Sequence, residues 1–409
     1  GTFADSTGKL LGHTRLRTME VAMVCRPVAL LLTLFIALLP CAATGLVLEP
    51  VATLTDLHHL NFAVESKLYA EVPDKVFVTS RGAGGIHASS TNASITVLGI
   101  SDPSRPVVLE SWEAPASVEG QDLYGTLLVV CDVGRGGLYT FNATCVSCGP
   151  IGYVKLSIDA VLHVRVFSAA GTLYAIATSG FSKNPSDSLV AVNITNPREP
   201  VELLVASIGV SQPEGVLIRG GFAYVGGITD TQLAVVSLAQ LPHAMPVVQR
   251  LHRAEYVQMV SSPRPFGDGH IMLAALWGSP GGLAVLDLSS PDGHAREIGR
   301  AVGNATSNAN RVAIDGPFAF LPLETAEGGV AVFDVQKPTK PTLLTVADLS
   351  SGLCYCLFAR GGYVHAFVAT TSTMHTFRLR SSSVGVFASE PPLLRGGAAA
   401  AADWSVLYA

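Results

Sequence analysis

One apolar segment, followed by a polar turn, recurs along this chain and constrains its folding more than any other feature. Its copies are Ile95–Ser101, Gly137–Ala143, Leu189–Thr195, Leu233–Ala239, Leu283–Ser289, Val330–Gln336 and Met374–Arg380. Their starts lie 42, 52, 44, 50, 47 and 44 residues apart. Most copies run through a proline-containing turn into a second apolar run, as Val330–Ala347 does. Upstream of each lies another apolar run, often led by glycine, such as Gly221–Val225 or Gly362–Val368. A further strand precedes it, as in Gly215–Ile218 and Arg311–Ile314. The turns between these two, at 219–221, 315–316 and 360–362, carry the glycines that a tight antiparallel hairpin needs.

Four short strands in a period of forty to fifty residues, repeated seven times, predict an all-β chain. The expected architecture is a β-propeller of seven four-stranded blades. A sandwich or a β-solenoid fits units of this length less well. Glu49–Thr55 looks like the fourth-strand segments Arg105–Ser111, Glu199–Val205 and Lys340–Val346, yet it precedes any complete unit. It is expected to complete the last blade and close the ring, burying edges otherwise left open. Val384–Ala388 competes for the same slot.

The turn motif resembles the LVIVD-type repeat, in which Leu-x-Ile-Val-Asp-Val-Ser-Asp-Pro-x-x-Pro leads into an apolar strand. Leu283–Pro291 and Val330–Pro338 match best, while Val97–Pro103 and Val190–Pro197 lack the strand aspartate. The resemblance spans Leu46 to about Ser389. It implies an exported or cell-surface propeller of unassigned activity. Physically the motif is turn chemistry: Asp or Ser bonds the backbone and proline fixes φ. Asp287 and Asp334 therefore read as turn residues rather than catalytic acids.

The termini read differently from the repeats. Residues 1–22 are expected to be an upstream or gene-model segment, and 23–43 a signal peptide. The latter has a basic start at Met23–Arg26, an apolar run from Val28 to Leu39, and small residues after Pro40. That run is too short to span a bilayer, which takes roughly 20 residues. The propeller is expected over 46–389, and a low-complexity tail over 390–409. Sequons at Asn92, Asn142, Asn193 and Asn304 agree with export as glycosylation candidates. Cys131, Cys145 and Cys148 are disulfide candidates, with a local bond or one to Cys131 both open. Cys354 and Cys356, two apart on an expected strand, should share one face as free core thiols.

A net charge of -5 gives no basic stripe, so nucleic acid is not an expected partner. With 49% hydrophobic and 14% charged residues the chain has ample material for a core. No nucleophile elbow, zinc-protease helix, P-loop or dinucleotide fingerprint stands in a fitting context. Metal ligands are not expected: a strand would send adjacent His58 and His59 to opposite faces. No cofactor is implied. Counting back from the hairpin glycines nominates Glu119, Arg165, Glu214, Gln258, Asn310, Arg311 and Tyr355 for the central channel. Two function classes follow. One is a secreted, monomeric module binding a protein or a small polar ligand. The other is a propeller enzyme, an oxidoreductase or hydrolase, with its site in that channel.

Overall fold

The computed structural model describes residues 45–55, 57, 60–83, 92–180, 182, 186–227, 232–252, 256–261, 270–350 and 352–381, without the side chains of 232 and 252–261. Within them the chain forms seven sheets of four antiparallel strands, a seven-bladed β-propeller. The inner strands of blades one to seven are Ala63–Leu68, Val118–Tyr124, Val164–Ala169, Pro213–Arg219, Tyr256–Ser261, Ala313–Asp315 and Cys354–Arg360. Six blades consist of four strands consecutive in sequence. The seventh takes its outer strand, Leu46–Leu54, from the other end of the chain. That strand pairs antiparallel with Thr373–Ser381, from Leu46 opposite Ser381 to Leu54 opposite Met374. The closing slot is therefore filled by the amino-terminal strand, and the competitor Val384–Ala388 lies outside the described residues.

Strand burial explains the sequence pattern. Second strands such as Lys75–Ser80 and Phe222–Gly227 are buried almost throughout, because a neighbouring blade packs on each face. Their small and branched side chains build apolar clusters at all seven blade interfaces. Ile95, Val97 and Phe77 of blade one, for example, pack against Val130, Tyr139 and Phe141 of blade two. Burying each such side chain stabilises the ring by about 1.5–3 kcal/mol. Among the described residues no helix is long and apolar enough to cross a membrane.

The turns after the third strands use the expected chemistry. Asp287 Oδ1 accepts from the Ser289 N–H at 2.9 Å, and Asp334 Oδ1 from the Gln336 N–H at 2.8 Å. In the second blade the same turn is a single 3-10 turn, Val146–Cys148, closed by a Cys145–Cys148 disulfide. Cys131, the other candidate partner, is a buried free thiol. The four sequon asparagines all lie at or beyond strand ends, with Asn92, Asn142 and Asn304 exposed and Asn193 half-buried.

One expectation fails. Cys354 and Cys356 are both buried free thiols, but they face opposite neighbours: Cys354 packs toward blade six and Cys356 toward blade one. A β-bulge between them inserts one extra residue, Tyr355, which reverses the alternation. The same irregularity recurs in the inner strands of blades one, two and four, at 63–65, 118–121 and 213–216. It is this bulge that re-aims side chains at the middle of the ring.

Candidate functional site

Bulged inner strands place Val64, Glu119, Glu214 and Tyr355 at corresponding points around the ring. Gly120 allows its strand to come close to blade three: its N–H bonds Leu162 O at 2.8 Å, and an added Cβ would lie 2.2 Å from that oxygen. The approach brings Glu119, fully buried, beside His163 of the next blade.

Glu119 is the hub. Arg81 donates to its Oε2 through Nε at 2.8 Å and Nη2 at 2.6 Å. Arg311 Nη2 donates to the other oxygen, Oε1, at 2.8 Å. Arg311 Nε also donates to Val64 O at 2.8 Å, and its Nη1 lies 3.2 Å from His163 Nε2 and 4.0 Å from Glu214 Oε1. Because a guanidinium only donates, His163 Nε2 must accept, which puts the imidazole proton on Nδ1. Burial, then the charge of Arg311, holds the His163 pKa well below the usual imidazole range. His163 is thus neutral, and its Nδ1 lies 3.8 Å from Glu65 Oε1. Burial pushes the Glu214 carboxyl up to about 7, with Arg311 opposing and Glu119 and Glu324 adding to the rise. Glu324 is likewise raised by burial to about 7, although it accepts from Trp277 Nε1 at 3.0 Å.

A second tier lies one step along the inner strands. Lys67 is 2.9 Å from Glu65, and Glu65 accepts from the Gln121 N–H at 2.8 Å. Lys67 also donates to Gln121 O. Arg165 lies 3.7 Å from Asp122, whose other oxygen accepts from the Val166 N–H at 2.7 Å. Burial, then the charge of Arg165, lowers the Lys67 pKa.

The nominated residues therefore fall in different places. Glu119, Glu214 and Arg311 meet in the first tier, and Arg165 stands in the second. Blade three pairs in regular register from Val164 to Ala169, and its irregularity falls just before, where Leu162 and His163 both bond Thr178, so His163 rather than Arg165 stands beside Glu119. Tyr355 is half-buried, its ring 5.0 Å from Phe62, with the Arg81 guanidinium 5.9 Å from each ring. Burial, reinforced by Glu324, pushes its phenol up to about 12. Asn310 is buried, its N–H bonds Pro322 O at 3.1 Å, and its Oδ1 has no protein partner among the described residues. The Gln258 side chain, like His58 and His59, lies outside the described residues. The sequence reading missed Glu65, Lys67, Arg81 and His163. Blade one escaped it because its first hairpin, 69–74, has no glycine to count from.

Chemically, Glu119, His163 and Glu214 offer ligand atoms within 4.8 Å of one another, a donor set of the type that holds a divalent cation. Arg311 already puts its guanidinium among the three, so a permanent cation sits where an ion would bind. Arg81, Glu119, His163, Glu214 and Arg311 are each nine-tenths or more buried. The arrangement is a closed acid–base network rather than an open cleft.

A seven-bladed ring with a self-paired polar centre is the class that fold and geometry define. The chain is similar in structure to the Cps50 (Swd1) β-propeller domain of Myceliophteria thermophila, with a TM-score of 0.61 and 8% identity, covering 82% of this chain and 100% of that one. It is also similar to the RRP9 WD40 repeats, at TM-score 0.55 and 12% identity over 82% and 98% of the two chains. A third likeness is a putative 6-phosphogluconolactonase from Bacteroides fragilis, at TM-score 0.53 and 13% identity over 71% and 85%. Identities this low speak for fold alone. No protein-family model matches the chain, and no curated protein does.

Proposed function

We propose that the chain is an exported, monomeric propeller of the LVIVD type that acts as a protein-interaction module. The observation that carries this reading is the self-paired centre: Arg81, Arg311 and Glu119 satisfy one another out of contact with water. A centre committed in this way works as a frame, leaving loops and outer strands as the surfaces that meet a partner. Structurally similar rings occur in a mitotic checkpoint complex and as WD40 repeats, which agrees with binding work. The three-part pattern over 23–43, the four sequons and the Cys145–Cys148 disulfide favour an oxidising, exported setting.

The enzyme reading has one observation in its favour, the carboxyls of buried Glu214 and half-buried Glu324, both near 7. Crosslinking mass spectrometry on cells producing the protein separates the two. The module predicts crosslinks from rim lysines such as Lys75, Lys155 and Lys340 to one recurrent protein, unchanged in Glu214→Gln. Absence of such crosslinks, with a small molecule retained in native mass spectra and released by Glu214→Gln, contradicts it. Amino-terminal sequencing of protein recovered from the medium tests export: a first residue close to Thr44 is expected, and protein found only inside the cell contradicts it.

A further inference from the structure

The Cys145–Cys148 pair differs from every other described cysteine. Cys131, Cys354 and Cys356 are buried and apart, whereas Cys148 is exposed and Cys145 half-exposed on the turn of blade two. The bond closes a ring of only four residues, so it removes little freedom from the unfolded chain. The turn is also held without it. Val146 is fully buried, the Gly149 N–H bonds Val146 O at 3.0 Å, and Asn142 Oδ1 accepts from the Thr144 N–H at 3.0 Å. Ser147 donates to Glu110 Oε2 of blade one through its N–H at 3.0 Å and its hydroxyl at 2.9 Å. A bond with little structural duty, on a preformed turn and open to solvent, is suited to exchange.

Beside it runs an apolar edge. The outer strand of blade one, Val107–Ala114, is the last strand of its sheet, and Val107, Val108 and Leu109 are 55%, 44% and 52% exposed. Leu109 belongs to the face turned toward blade two: it packs 3.0 Å from where a Gly99 Cβ would lie, in line with Val97 and Ile95 of that interface. Glu110, the next residue, is the one that holds Ser147. Apolar strip and disulfide are thus joined through a single side chain.

We propose that Cys145–Cys148 is a thiol–disulfide exchange site for a partner dithiol carried on an extended, apolar segment that lies along Val107–Leu109. The open edge offers that segment unpaired backbone groups, and the strip offers pockets for its side chains. A partner thiolate attacks the exposed Cys148 Sγ. A bond forms between the two sulfurs as the Cys145–Cys148 bond breaks, and Cys145 leaves and takes a proton from water. The partner's second thiolate then attacks its own sulfur in the mixed disulfide, releasing Cys148. The partner loses two electrons and two protons, and the pair gains them. Glu110, bonded to Ser147 between the two cysteines, sets a carboxylate beside the pair, which slows formation of a free thiolate there. The Ser147 hydroxyl, 3.8 Å from Cys145 Sγ, can turn its proton toward the leaving sulfur.

The test uses the full-length protein and two synthetic dithiol peptides, one with valine and leucine beside its cysteines, the other with serine and aspartate. Thiols are quenched with acid, alkylated and mapped by mass spectrometry. The folded protein is expected to oxidise the apolar peptide at least tenfold faster than the polar one, through a mixed disulfide at Cys148. Val107→Lys/Leu109→Lys should abolish the preference while leaving the melting temperature in place, and Glu110→Gln should speed the exchange severalfold. A pair that opens only in denaturant overturns the proposal. So does equal reactivity toward the two peptides, or a mixed disulfide at Cys145.

Discussion

The innermost and outermost strands of this ring invert the usual distribution of polar and apolar residues, for opposite reasons. At the centre Glu119, Arg81, Arg311 and Glu214 are charged or titratable yet buried. On the rim Val107, Val108, Leu109 and Val201 are apolar yet exposed. Buried charge is costly unless paired, and here each group finds a partner at hydrogen-bond or near-contact distance. Among the described residues, the exposed valine and leucine of an edge strand carry no such compensation. The charged groups of the centre are consequently paired among themselves, whereas the described apolar residues of the rim stay exposed.

The widest way to break this comparison is to open the ring. Deleting Leu46–Leu54 exposes the edge of Thr373–Ser381 and uncouples the two ends of the chain. The melting temperature should fall by more than about 10 °C in calorimetry; an unchanged transition contradicts closure by that strand.

Titration sharpens the central half. The Glu214 pKa is about 7 in the fold against 4.5 for a free side chain, so the folded state holds its proton more tightly. Its stabilising contribution is fully present below pH 4.5 and is lost as pH rises through 7. Glu214→Gln keeps the neutral form, so its stability relative to the parent should climb with pH across that window, by at most about 1.4 kcal/mol per pH unit. His163, and His365 buried in the second strand of blade seven, Tyr363–Val368, act in the opposite sense, their depressed pKa values costing stability as pH falls below 6.5. Urea melts of the two proteins at matched pH cancel that contribution. A flat difference rules out the buried, neutral Glu214.

Smaller effects are expected outward. Cys145→Ser/Cys148→Ser should cost roughly 2 kcal/mol or less, given the four-residue ring. Val107→Lys/Leu109→Lys should change stability by no more than about 0.5 kcal/mol. A large loss there, measured by the same urea melts, would show the strip to be part of the core.

The frame was far more legible in the sequence than the centre. Period, turn prolines and hairpin glycines report local backbone geometry, and they gave seven blades and the closing strand. The centre depends on bulges, which leave no mark on composition. One extra residue sends Cys354 and Cys356 to opposite faces, and in blade three the irregularity sits at Leu162–His163, opposite Thr178, which puts His163 where Arg165 was expected. Arg81 lies just past a second strand, Lys75–Ser80, outside any reading confined to inner strands. Its role emerges only when two blades converge on Glu119.

The central claim is that the middle of the ring is a mutually satisfied network, and a double-mutant cycle on Glu119 and Arg311 tests it most directly. Glu119→Leu and Arg311→Met should each lose about 3–5 kcal/mol in urea unfolding, because each strands a buried partner. The double variant should lose clearly less than their sum, with a coupling of at least about 1 kcal/mol. Single losses near zero, adding without coupling, would contradict the account.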